Sequence, residues 1–236
     1  MITQPAGASP IRSSFSTRSE PNVTLDCDAL LFDMDGTLVD STEVVERHWG
    51  IWAARHGIDL AEVLRVSHGR PTLETLRLVA PRLATVEEAA ALDAREAGDS
   101  EGLRPVRGAA ELLASLPLDR WAVVTSAGRA LATRRLREAS VPVPDVLVTS
   151  DDVSPGKPNP KGYLEAARRL GAAIRRSIVI EDAPVGIEAG RAAGAIVIGV
   201  TTTFPSLSDC DYVIADLGAL RVIESSAAGL RLEIGA

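Results

Sequence analysis

An apolar run leads directly into two acids in the stretch ALLFDMDGTLVD, residues 29–40. The run is continuous rather than alternating, which is typical of a strand buried on both faces of a parallel sheet. Asp33 and Asp35 are two positions apart, so in extended chain their carboxylates project on the same side. Like charges this close raise a pKa or require a cation, and Gly36 permits a sharp turn whose amides can face an anion. The stretch alone is equally compatible with an ordinary turn, so its interpretation depends on the rest of the chain.

Similar β-type runs recur along the chain and alternate with helix-length patterns. They cover residues 121–125, 146–149, 177–181 and 195–200, with a weaker run at 212–214. This alternation predicts an α/β fold built on a doubly wound, Rossmann-like parallel sheet. In such sheets the chemistry gathers outside the carboxyl ends of the strands. Polar residues that directly follow these runs are therefore the first candidates for a site.

One long segment breaks the alternation, because it contains helical patterns and no convincing strand. Within it, Trp49 and Trp52 fall on one face of a helical pattern and are expected to pack inside the segment. The predicted organisation is an all-helical module inserted into a Rossmann-like core, with a flexible tail before both: residues 41–103 for the module, 28–40 and 104–236 for the core, and 1–27 for the tail.

Composition excludes several classes of partner. The chain has 236 residues, 46% of them hydrophobic, and a formal net charge of -7, as expected for a globular protein whose surface repels nucleic acid and anionic lipid. No apolar run approaches the roughly 20 residues of a membrane helix, and roughly the first 25 residues lack the hydrophobic centre of a secretory signal. Cys27 and Cys210 share no close spacing, which disfavours a disulfide framework or a zinc site. We expect a cytoplasmic monomer that binds neither nucleic acid nor membrane.

Hydroxyl groups and a lysine follow later in the chain. The run at 121–125 ends in Thr125 and Ser126 before a helical pattern, and a hydroxyl with free amides at a helix N-terminus can bind an anion. An ordinary N-cap would look the same. Lys157 lies in the loop GKPNP, residues 156–160, where two prolines restrict the backbone around it. It is a candidate for neutralising a phosphate.

Two adjacent acids, Glu181 and Asp182, end the run at 177–181. Partly burying two acids is costly unless a cation receives them, although acids in the first turn of a helix are a simpler explanation. Ligands that are all oxygen favour magnesium over zinc. The candidate magnesium ligands are Asp33, Asp35, Asp182 and Glu181.

Taken together and in this order, the four blocks resemble the haloacid dehalogenase-like hydrolase superfamily over roughly residues 28–225. By that resemblance the helical module, residues 41–103, is an all-helical cap that closes over the active site of the catalytic core, and the linkers at its two ends are the expected hinges. The resemblance also implies the following roles: Asp33 as nucleophile, Asp35 as general acid and base, Thr125 and Lys157 as phosphate ligands, and Asp182 with Glu181 as the rest of a magnesium site.

Two positions favour hydrolysis within that superfamily. The dehalogenases lack an acid at the place of Asp35, and sugar mutases carry a histidine where this chain has Val45. The chain most resembles phosphatases of glycerol 3-phosphate, 2-deoxyglucose 6-phosphate and hexitol phosphates, through residues 67–72, 119–126 and 181–194. A magnesium-dependent phosphatase of a small sugar or polyol phosphate is the predicted function. A sugar phosphomutase and a non-catalytic sugar-phosphate-binding protein are the alternatives.

Two residues of the cap are candidates for contact with the substrate. His68 and Arg70 lie in the segment SHGRPT, residues 67–72, whose glycine and proline can present a guanidinium to hydroxyls or phosphate. A surface arginine and a histidine at a helix end would be the simpler explanation.

Overall fold

A parallel sheet of six strands forms the centre of the computed structural model, which describes residues 23–235. All six predicted runs are confirmed as strands: β2 (Ala29–Phe32), β5 (Trp121–Val124), β6 (Leu147–Val148), β7 (Ser177–Glu181), β8 (Ile196–Val200) and β9 (Tyr212–Ile214). Their order in the sheet is β6-β5-β2-β7-β8-β9, and every neighbouring pair is parallel.

Helices cover both faces of this sheet, as the continuous apolar runs require. Successive residues of a strand point to opposite faces, so Leu30 and Phe32 enter one hydrophobic cluster and Leu31 enters the other. The helices of the core are α5 (Ala109–Ala114), α6 (Arg129–Glu138), α7 (Lys161–Leu170) and α8 (Pro184–Ala193), with short 3-10 turns at Leu118–Arg120, Ile174–Arg176 and Leu217–Ala219. The predicted α/β core is confirmed.

Helix α8 shows how local sequence places a site residue. Pro184 occupies its first turn, where a missing N–H costs nothing, and Gly194 ends it in the left-handed conformation. These two residues define where the helix begins and ends. The acids at the end of β7 are therefore held between a buried strand and the start of this helix.

Four helices lie between β3 (Val39–Asp40) and β4 (Arg104–Pro105), in the segment predicted to be the cap. Trp49 and Trp52 are buried there and meet edge to face, with ring centroids 5.4 Å apart. Strands β3 and β4 pair with each other, so the two linkers of this segment run side by side. The helices are α1 (Thr42–His56), α2 (Leu60–Ser67), α3 (Thr72–Val79) and α4 (Val86–Ala97), with a 3-10 turn at Pro81–Leu83.

A second sheet was not predicted. It contains β1 (Val23–Cys27), β10 (Leu220–Ser226) and β11 (Gly229–Ile234), all antiparallel, in the order β1-β11-β10. The assignment of residues 1–27 to a tail is therefore wrong for its last five residues, since β1 pairs with a strand some 200 positions away. Residues 1–22 of that prediction lie outside the described residues.

No helix in the described part of the chain is both long enough and apolar enough to span a bilayer.

Candidate active site

The predicted site residues lie where the central strands end. Asp33 directly follows β2, Thr125 directly follows β5, and Glu181 and Asp182 come at the end of β7. The three strands are neighbours in the sheet, so their carboxyl ends meet at one edge. Lys157 reaches the same place from the loop before α7.

Lys157 joins two of the acids in a buried ion-pair group. Its Nζ donates to Asp33 and, at 2.6 Å, to Oε1 of Glu181. The same oxygen of Glu181 accepts a hydrogen bond of 2.5 Å from the hydroxyl of Tyr163. Lys157 is 5% exposed and Glu181 is 0% exposed, so these charges depend on one another for compensation.

Asp33, Glu181 and Asp182 form the acidic cluster. Each offers a carboxylate oxygen, and the three oxygens lie within 4.8 Å of one another. Burial raises the pKa of Asp33 well above its usual range, and the Lys157 ammonium opposes that rise. Burial, followed by repulsion from the Glu181 carboxylate, raises the pKa of Asp182 to about 7. Within the cluster, the single ammonium of Lys157 faces three carboxyl groups.

The acidic cluster fits a divalent metal ion. Its donors are all oxygen, as magnesium prefers, and its three buried carboxyl groups are in reach of one ammonium, that of Lys157. Glu181 is the least available donor, because Lys157 and Tyr163 already occupy one of its oxygens.

Gly36 makes room for the acidic cluster. Its φ is +80°, and a Cβ at this position would overlap the carboxylate of Asp182 and the hydroxyl of Thr203. Asp182 is also held by the hydroxyl of Thr37, at 3.3 Å. Only glycine therefore lets the turn after β2 approach Asp182 this closely.

The carboxylate of Asp35, which was predicted as a metal ligand, lies outside the acidic cluster. One of its oxygens accepts from the hydroxyl of Ser41 at 2.7 Å, and the other lies 2.8 Å from Nη1 of Arg135. Asp33 and Asp35 are two positions apart, but β2 ends at Phe32 and the chain bends at Met34, so the extended geometry that would keep both side chains together does not reach Asp35. Asp35 instead lines the cavity beside the cluster.

The hydroxyl groups of Thr125 and Ser126, which follow β5, contact different parts of the protein. Thr125 lines the cavity together with Asp33, and its Oγ1 accepts from the amide of Ala127 at 3.1 Å. Ser126 also lines the cavity, but its hydroxyl donates to the carbonyl of Gly69 in the cap, at 2.7 Å. Ser126 thus joins the core to the cap in this structure.

His68 and Arg70 both line the same cavity, which has a volume of about 280 Å³. The ring of His68 meets Phe204 edge to face, and burial lowers the pKa of its imidazole. Arg70 donates to the carbonyl of Val66, at 3.1 Å. The structure therefore brings these two cap residues over the core residues of the site.

Three further residues of the site were not predicted from the sequence. Arg135 and Glu96 line the cavity and pair with each other, and Tyr163 holds Glu181. Each lies within a regular helix, where its type and spacing give no signal of a role. Only the packing of the helices shows that the three side chains point inward.

Comparisons with known proteins find a matching family model and several named relatives. A family model described as haloacid dehalogenase-like hydrolase matches residues 27–194. The chain is 40% identical over 206 residues to hexitol phosphatase A of Escherichia coli, an alignment that covers 83% of this chain and 94% of that protein. It is 34% identical over 235 residues to 2-deoxyglucose-6-phosphate phosphatase 1 of Saccharomyces cerevisiae, covering 88% and 95% of the two chains.

A solved structure shares the fold as well. A hydrolase from Pseudomonas syringae matches with a TM-score of 0.71 and 28% identity, over 81% of this chain and 94% of that one. The family model covers well over half of the sequence, and the chain therefore belongs to the haloacid dehalogenase-like hydrolase family.

Proposed function

We propose that this protein is a magnesium-dependent phosphatase that hydrolyses a small sugar or polyol phosphate through an aspartyl-phosphate on Asp33. One observation carries the proposal: Asp33, Lys157 and Asp182, far apart in sequence, meet in one buried group beside Thr125. A carboxylate nucleophile, a cation for the phosphoryl oxygens and a metal ligand are the parts that phosphoryl transfer requires. The names of the relatives, which are phosphatases of hexitols and of 2-deoxyglucose 6-phosphate, support the substrate class.

The first step transfers the phosphoryl group to the protein. An oxygen of Asp33 forms a bond to phosphorus, and the bond from phosphorus to the substrate oxygen breaks. Asp35 gives its proton to that leaving oxygen, which departs as an alcohol. Lys157 and the hydroxyl of Thr125 stabilise charge on the transferring oxygens.

The second step releases phosphate. Asp35, now a carboxylate, takes a proton from a water molecule whose oxygen bonds to phosphorus, and the bond from phosphorus to Asp33 breaks. Magnesium, when held by Asp33 and Asp182 with Glu181 nearby, supplies charge that screens carboxylate from phosphate.

The cavity walls suit a neutral leaving group with hydroxyls. Burial lowers the pKa of His68 and so favours the uncharged ring, which can exchange hydrogen bonds with hydroxyl groups. Arg70 adds a donor on the same side. We propose His68 and Arg70 as the contacts of the cap to the sugar or polyol.

Hydrolysis fits better than mutase chemistry. Val45 of α1 lines the cavity where a sugar mutase has a histidine, and an aliphatic side chain cannot move a proton. Water is then the expected acceptor of the phosphoryl group.

The proposal includes a cytoplasmic, monomeric protein without nucleic-acid partners. The net charge of -7 supports the absence of nucleic-acid binding. Size-exclusion chromatography with light scattering measures the oligomeric state, and cell fractionation measures the location.

Phosphate release from triose, pentose, hexose and hexitol phosphates, with and without magnesium, tests the activity. We expect release that requires magnesium and is lost in Asp33→Asn, while Asp145→Asn, a change at an exposed acid, leaves it intact. Binding of these compounds without phosphate release would instead support a sensor. An isomerised sugar phosphate, seen by NMR, would support a mutase.

A further inference from the structure

Arg135 connects the cap to the proposed acid and base. It lies on α6 of the core and is 5% exposed. Its Nη1 lies 2.8 Å from Oδ2 of Asp35, and its Nη2 donates to Oε1 of Glu96, on helix α4 of the cap. One guanidinium thus bridges two carboxylates that belong to different parts of the fold.

The bridge supplies the two carboxylates that contact Arg135 directly, and the carboxylate of Asp93 on the same cap helix adds a more distant attraction. Its Nε has no partner among the residues that the structure describes. A buried guanidinium requires paired charges, so the position of Arg135 depends on both Asp35 and Glu96. Displacement of α4 would remove one of the two.

The other contact of Asp35 also depends on the cap. Oδ1 of Asp35 accepts from Ser41, which lies at the start of α1, directly after the linker strand β3. Both oxygens of the carboxylate are therefore held by groups that are tied to the cap. The cap itself rests on the core through Gly69, whose carbonyl accepts from Ser126.

We propose that Arg135 is a positioning residue: Glu96 holds its guanidinium when the cap is closed, and the guanidinium then orients Asp35 toward the substrate oxygen. The inference rests on the proposed function of Asp35. Its consequence is that proton transfer takes place only when the cap encloses the substrate, and not in an open site filled with water.

A double-mutant cycle separates positioning from other roles. The variants are Arg135→Met, Asp35→Asn and both together, assayed for kcat and KM on a hexitol phosphate with magnesium. We expect Arg135→Met to lower kcat about 10²-fold, as loss of general acid–base catalysis does, with KM little changed. In the Asp35→Asn background, the same change should cost less than about threefold, because Arg135 then has no carboxylate to orient.

Two further variants keep the test valid if Arg135→Met fails to fold, which a thermal melt shows. Arg135→Lys keeps the charge and should recover part of kcat, and Glu96→Gln should lower kcat less than Arg135→Met does, with the same non-additivity toward Asp35→Asn. Arg134→Met is the matched control, since Arg134 is the neighbouring residue, is half exposed and pairs with Glu138 on its own helix. It should behave as the unchanged protein.

Multiplicative losses in the cycle would overturn the inference, since Arg135 would then act independently of Asp35. A rise in KM with kcat unchanged would also overturn it, because Arg135 would then bind substrate directly. Failure of the proposed function looks different: the unchanged protein would release no phosphate, or Asp33→Asn would remain active.

Discussion

Replacing Lys157 by methionine tests the central electrostatic arrangement of the site. The chain has two lysines, Lys157 and Lys161, so Lys161→Met is a natural control. Lys157 is buried between Asp33 and Glu181, whereas Lys161 is exposed and donates to the carbonyl of Ser154, at 2.7 Å.

The expected loss of stability follows from the buried charges. Removing one member of a buried ion pair costs about 3–5 kcal/mol, and here three carboxylates within 4.8 Å of one another lose their cation. We expect the free energy of unfolding of Lys157→Met to fall by about 3–5 kcal/mol at pH 8 without magnesium. Magnesium at 100 times its dissociation constant should return about 2.7 kcal/mol.

The loss should shrink as the pH falls. Lys157 lowers the pKa of Asp33 and of Asp182, so its removal raises both further above their unfolded values. A carboxyl group whose pKa is raised on folding binds its proton more tightly in the folded state, and stability then increases as the pH drops toward the unfolded pKa near 4. The slope is at most about 1.4 kcal/mol per pH unit for each carboxyl.

Urea unfolding, followed by circular dichroism at pH 6 and pH 8 with and without magnesium, measures these quantities. Phosphate release should fall about 10²–10³-fold in Lys157→Met, as for other removed electrostatic contacts, and stay unchanged in Lys161→Met. Equal unfolding free energies for the two variants at pH 8 would refute the reasoning, as would a loss that does not depend on pH.

Three other predictions concern the metal, the turn and the cap. Because the pKa of Asp182 is raised to about 7, protons compete with magnesium for its carboxylate below that pH. The magnesium affinity measured by calorimetry should therefore fall by up to about tenfold per pH unit between pH 7 and pH 5. An affinity that does not depend on pH would contradict this prediction. Gly36→Ala should displace Asp182 and abolish most magnesium-dependent phosphate release. Gly57 has a similar φ of +67° but open space around it, so Gly57→Ala should cost only about 1–2 kcal/mol of stability and leave kcat intact. Equal kcat values in the two variants would contradict the steric argument. Trp52→Ala should destabilise the protein by about 3–5 kcal/mol, because Trp52 is buried and its indole donates to Glu88 at 2.9 Å. Val86→Ala, at an exposed position of α4, should change the stability measured in thermal melts by no more than about 0.5 kcal/mol.

Local patterns in the sequence determined much of this protein. Continuous apolar runs identified the six parallel strands, and the helical segment between β3 and β4 was visible because no strand pattern interrupts it. Asp33, Lys157 and Asp182 could be proposed for one site, since each follows or precedes an element whose end must lie at the same edge of the sheet.

Packing between distant elements decided the rest. Strand β1 pairs with β11 across most of the chain, and no pattern within either strand specifies the other as its partner. Asp35 turned away from the acidic cluster toward Arg135, and Arg135 and Glu96 meet only because α4 lies against α6. Periodicity reports which face of an element is buried, but which charged side chains meet across two buried faces depends on how the elements pack in three dimensions.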